Sequence, residues 1–151
     1  MTPHYTLFIK NENGVLNQIG SEKRFAFGVT STPILKSDEI GTLKQLDLVT
    51  EAVQQAILEA GIESLEDVKC VEVKAPWGVG GTLSKAASAL GAAVALQEVS
   101  REDIKAESLN RDHSLYSNKT SVSAGQEQVA VKVIVMGNST TSESDLYIGA
   151  G

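Results

Sequence analysis

One cysteine, two histidines and no long apolar run leave this 151-residue chain with little of what disulfide-stapled, metal-binding or membrane proteins depend on. Cys70 has no second cysteine to bridge to, which excludes an internal disulfide. His4 and His113 have no further His or Cys at ligand spacing, so no metal site is expected. The opening stretch, MTPHYTLFIKNENG, has neither a basic segment nor an apolar core of leader length, and the expected compartment is the cytoplasm. An excess of basic charge is also missing. Thirteen Lys and Arg stand against nineteen Asp and Glu, a formal charge of −6, so neither nucleic acid nor a membrane is expected as a partner. Asn-Lys-Thr at 118–120 and Asn-Ser-Thr at 138–140 fit the glycosylation pattern, but without secretion the pattern carries no meaning.

What is present is the material of one globular domain over residues 1–151. Hydrophobic residues are 42% and charged residues 21%, and a chain of this length can bury a self-sufficient core. Strands are expected at Tyr5 to Lys10, before the turn cluster Asn11–Gly14, and at Arg24 to Thr30. Leu46, Val49, Val53, Ile57 and Ala60 recur at three- and four-residue steps and predict a helix from Leu43 to Ala60. Thr42 and Gln45 are placed for a capping box and Gly61 for the stop. Val68 to Lys74 reads as a strand with Val71 and Val73 on one face and Cys70, Glu72 and Lys74 on the other. Thr82 to Glu98 is a helix of small residues, and Gly91 inside it implies that something packs against the backbone there. A short helix near Ser100–Ile104, a polar loop over 107–126, a strand at Gln128 to Met136 and a last strand at Leu146 to Ile148 complete the order. The fold class is therefore α/β, one sheet covered on one face by two long helices.

Few motifs carry chemistry. Gly78, Gly80 and Gly81 follow a strand and precede a helix, yet they match neither a Walker loop nor a dinucleotide fingerprint, which leaves a tight βα connection. Asp112-His113-Ser114 holds the three residue types of a catalytic triad, but sequence neighbours point apart and this is loop polarity. Cys70 within a strand is expected to be a buried, inert thiol. There remain Lys74 at a strand end and Thr120–Gly125, read as a small-residue turn that could present a serine hydroxyl beside exposed backbone N–H groups. A lysine near such a serine can act as its base, which would make a Ser–Lys dyad.

Three strings, Lys69–Pro76 (KCVEVKAP), Leu83–Leu96 (LSKAASALGAAVAL) and Thr120–Glu127 (TSVSAGQE), together with Ile134–Ser139 (IVMGNS), resemble the ring-opening amidohydrolases, the family of cyanuric acid hydrolase and barbiturase. The match resembles the middle one of that family's three repeats and covers about residues 24–151. By this resemblance Lys74 is the catalytic lysine, Ser123 the nucleophile that attacks a ring carbonyl, and Ala124 the donor of a backbone N–H. Ser121 is the alternative nucleophile if the register slips by two. Lys85 stands where the family usually carries an arginine, and would bind substrate without an arginine's planar fork. The stretch from Pro76 to Ser84 is much shorter than the family's, being reduced to Trp-Gly-Val-Gly-Gly-Thr-Leu.

Because family members gather three repeats around one site, a single repeat implies a homotrimer, whose partner is a second and third copy of itself. Its ligand would be a small cyclic imide or anionic molecule such as cyanuric or barbituric acid, opened through an acyl-enzyme without a cofactor. Two other expectations stand beside this one: a trimeric or structural subunit that binds without turnover, and a piece of a longer three-repeat enzyme.

Overall fold

The computed structural model describes residues 6–10, 22–78, 80–126 and 128–150; His4 and the turn expected at Asn11–Gly14 lie outside them. In chain order the elements are β1 (Thr6–Lys10), β2 (Arg24–Ser31), α1 (Leu43–Glu59), β3 (Val68–Pro76), α2 (Thr82–Ala95), β4 (Thr120–Gly125), β5 (Lys132–Ser139) and β6 (Leu146–Ala150). Short 3₁₀ turns at Leu65–Asp67, Arg101–Asp103 and Ala106–Ser108 link them. Four strands form one sheet in the order β2-β5-β3-β4, with β3 and β4 parallel and the other neighbours antiparallel. β1 and β6 pair separately as an antiparallel ribbon. No helix among the described residues is long and apolar enough to cross a membrane.

Both helices lie on one face of the sheet, and the small residues of the chain explain how closely. Val71 and Val73 of β3 and Val133 and Val135 of β5 turn inward and are buried against Val49, Val53 and Ala56 of α1. A methyl group added at Gly28 of β2 would stand 1.9 Å from the Ala56 carbonyl oxygen, and one at Gly91 of α2 would stand 2.5 Å from the Leu46 carbonyl oxygen. These two glycines let α1 rest its backbone on β2 and on α2. Thr30 and Thr50 hydroxyls donate across the same contacts, to Ala52 at 2.7 Å and Gly91 at 2.9 Å. A second apolar cluster, Leu46, Ala87, Leu90, Ile104 and Leu109, seals the outer side of the helix pair.

Several local expectations change. Thr120–Gly125 is a strand, because Thr120 and Val122 pair with β3 and turn toward the helices, with Thr120 buried. The capping box does not form. Thr42 accepts from the Lys44 N–H, while Gln45 reaches past it to accept from Gly41 at 2.7 Å. α2 stops at Ala95 rather than Glu98, since Gln97 takes a left-handed φ of 57° and the Glu98 and Gln97 amides fold back onto Ala93 and Val94. This is a Schellman turn built without its usual glycine. β5 begins at Lys132 and runs on to Ser139. The preceding carbonyls of Val129 and Val131 are taken by Leu35 and Thr32 in an irregular pairing, leaving the Val129 side chain exposed.

Gly91→Ala offers a gain of helix propensity of about 1 kcal/mol, and the clash with Leu46 and Val49 opposes it. The expected net result is a loss of about 1–3 kcal/mol from overpacking, read as a lower urea midpoint at unchanged slope.

Candidate active site

The sheet face away from the helices carries the candidate residues Lys74, Ser121 and Ser123. Its side chains are those in phase with Lys74, and the strand registers align them in rows. Ser31 of β2, Lys132 of β5, Lys74 of β3 and Ser123 of β4 make one row; Val29, Ile134, Glu72 and Ser121 make the next. Lys74 and Ser123 are thus direct neighbours on parallel strands, as are Glu72 and Ser121. Lys74 is half-buried and Ser123 exposed. The β2 half of the face is apolar and open, with Phe27 59%, Val29 51% and Ile134 40% exposed.

β4 is an edge strand, and its ladder to β3 fixes which of its amides remain available. Val71 donates to the Lys119 carbonyl and Trp77 to the Gly125 carbonyl, both at 2.9 Å. Because successive residues of a strand point their backbone groups to opposite sides, residues 119, 121, 123 and 125 serve β3. The N–H of Ala124 therefore points off the sheet edge, beside the Ser123 side chain. The strand is held at its start by Lys119, whose ammonium donates to Leu65 at 2.8 Å and whose pKa is lowered mainly by burial, and by the Ser117–Thr120 hydroxyl pair at 2.8 Å. At the far end of the same face, buried Asn138 clasps β6 through both sides of its amide, donating to the Ile148 carbonyl at 2.8 Å and accepting its N–H at 3.0 Å. The motif holding Asn138 is visible in the sequence; its role as a clasp is not.

Lys85 enters from α2. After Pro76, Gly78 and Gly81 take positive φ and the Gly81 amide donates to the Trp77 carbonyl at 2.8 Å. The buried Ser84 hydroxyl donates to the Pro76 carbonyl, tying the first turn of α2 to the end of β3. Gln45 of α1 holds the same turn, donating to the Ser84 carbonyl at 3.0 Å and the Ser88 hydroxyl at 2.8 Å. Lys85 itself is exposed, its ammonium 6.0 Å from the centre of the Trp77 ring. The glycines of this connection make a turn.

The remaining candidates stay out of the Lys74 row. Ser114 donates to Asp112 at 2.6 Å, and this bond is the main cause of a lowered Asp112 pKa; the serine serves its own loop and not a catalytic histidine. Cys70 is buried and its thiol points to Glu72 at 3.5 Å. Among the described residues no group of His, Cys, Asp and Glu could hold a metal ion. A shallow groove between Phe25, Phe27, Leu58, Thr141 and Leu146 lies by the β2 edge and includes none of the Lys74 row.

The sequence matches the family model described as amidohydrolase ring-opening protein in two stretches, residues 1–79 and 77–151. A cyclic amide hydrolase of Rhodococcus sp is 40% identical over 167 aligned residues, spanning 100% of this chain and 48% of the relative. A cyanuric acid amidohydrolase of Enterobacter cloacae is 35% identical over 171, spanning 99% and 46%. A solved cyanuric acid hydrolase, described as evolutionary innovation by structural concatenation, superposes with a TM-score of 0.83 at 32% identity, covering 91% of this chain and 43% of that one. The chain thus spans about half the length of the curated relatives it matches. Both alignments are longer than this chain's 151 residues, so those relatives carry residues that it lacks. The family match divides at 77–79, in the β3–α2 turn.

Replacing Gln45 with Leu strands Ser84, Ser88 and the Gly41 amide in a buried setting. The expected cost is about 1–3 kcal/mol of folding stability, checked by urea denaturation against the wild-type chain.

Proposed function

The chain belongs to the ring-opening amidohydrolase family, and on that premise we propose that it opens cyclic imide or amide rings by hydrolysis, with Ser123 as nucleophile and Lys74 as its base. The carrying observation is the register of β3 on β4, which sets Lys74 directly beside Ser123 and leaves Ser121 beside Glu72. In the step so assigned, the Ser123 oxygen bonds to a ring carbonyl carbon and its proton passes to the Lys74 amine. The C–N bond then breaks, the ring nitrogen takes up that proton, and water later cleaves the resulting ester to regenerate the serine. The outward N–H of Ala124 is available to the oxyanion that develops on the carbonyl oxygen, a type of stabilisation worth about 3–4 kcal/mol per donor.

One copy provides only a wall of such a site. The Lys74 row lies on the sheet face away from the helices, flanked by exposed Phe27, Val29 and Ile134, which would gain by burial. We assign the missing walls to two further copies arranged about a threefold axis. Three Lys74–Ser123 pairs and three Lys85 ammonium groups would then surround a small, planar, anionic ring. Cyanuric and barbituric acid have the required shape and charge. The names of the relatives, a cyclic amide hydrolase and a cyanuric acid amidohydrolase, support this choice.

A second reading, a trimer that binds such a ring without turnover, is favoured by the shortened β3–α2 turn at which the family match divides. Loss of the ultraviolet absorbance of barbituric or cyanuric acid separates the two. Hydrolysis predicts turnover by the wild-type chain and a fall of about 10³-fold or more in Ser123→Ala and Lys74→Ala, with Ser121→Ala retaining most activity. Equal, slow rates in all four chains would leave only binding. Native mass spectrometry is expected to give three times 16.0 kDa; a stable monomer would contradict the shared site.

A further inference from the structure

The β3–α2 turn, where the family match divides, sets an aromatic ring beside Lys85. The Trp77 backbone is fixed on both sides, its N–H donating to Gly125 at the end of β4 and its carbonyl accepting from Gly81. Its ring lies by Gly81, where an added methyl group would meet the six-membered ring at 3.8 Å, and the Lys85 ammonium stands over it at 6.0 Å from the centre. The Trp77 side chain is 37% exposed, so its ring is accessible as well as fixed at its backbone. Lys85 has a flexible four-carbon stem and a point charge, so an aromatic face beneath it narrows where that charge can sit. Both residues are tied, through Gly125 and through Ser84 on Pro76, to the strand ends that carry Ser123 and Lys74.

We propose that Trp77 is a positioning residue: its ring holds the Lys85 ammonium at the mouth of the site, where it binds the negative charge of the cyclic imide. This rests on the hydrolase reading for the identity of the ligand, and on the turn geometry for the pair itself. The aromatic face thereby does part of what the planar fork of an arginine would do.

Trp77 is the only tryptophan in the chain, so its fluorescence reports on the pair without a label. In the trimeric Ser123→Ala protein, which binds but does not turn over, titration with barbituric acid is expected to change Trp77 emission saturably. Lys85→Met is expected to shift the emission of the free protein and weaken the titration. Trp77→Ala is expected to raise KM about two- to fivefold, the worth of one exposed cation–π contact, at nearly unchanged kcat, and Trp77→Phe to recover most of that loss. Emission indifferent to Lys85→Met, or a Trp77→Ala enzyme that loses kcat at constant KM, would overturn the proposal. If Trp77→Ala fails to fold, the Lys85→Met emission decides. Failure of the hydrolase reading shows separately, as wild-type and Ser123→Ala chains with equal rates.

Discussion

The parallel pairing of β3 with β4 is the constraint on which the rest of the molecule depends. It aligns Lys74 with Ser123, turns the Ala124 amide off the edge, and brings Gly125 to where Trp77 can close onto it. A parallel pair needs a crossover connection, and α2 supplies it. That helix lies close because alanines and Gly91 let it approach α1, and Gln45 and Ser84 pin its first turn to the end of β3. The packing of one face thus positions the chemistry on the other.

The other face follows from the same economy. Two helices suffice for one side of a four-stranded sheet, and the β1–β6 ribbon is clasped by Asn138 at the far end of the other side. The end carrying Lys74 and Ser123 has exposed Phe27, Val29 and Ile134 beside it. The chain spans about half of its relatives' length, and in the function we propose this is the face that further copies of the repeat would meet.

Much of this was legible in the sequence. The stripe from Leu46 to Ile57, the alternation through β3 and the interruption at Gly91 each state a local physical preference that the fold keeps. β4 was not legible as a strand, because Thr-Ser-Val-Ser-Ala-Gly is small and polar and takes its extended form from pairing with β3, a contact between segments distant in the sequence. The end of α2 was hidden for a related reason: Gln97, not glycine, adopts the left-handed turn. Lys74 and the serines of Thr120–Gly125 stood out from the residues alone, whereas the choice of Ser123 over Ser121 and the parts given to Lys85 and Ala124 came from resemblance to a family. Trp77 beneath Lys85 was missed, since no spacing rule relates a turn residue to the helix that follows it.

The claim at the centre is that each catalytic pair lies within one chain, between its own β3 and β4. Co-refolding inactive Lys74→Ala chains with inactive Ser123→Ala chains tests it most directly, because mixed trimers then hold at least one Lys74 and one Ser123 but never an intact pair in one chain. The account predicts that barbituric and cyanuric acid hydrolysis stays absent in the mixture, while wild-type chains mixed with either variant keep activity in proportion to their share. Recovery of substantial activity in the doubly deficient mixture would show that the lysine and serine act across subunits, and would contradict it.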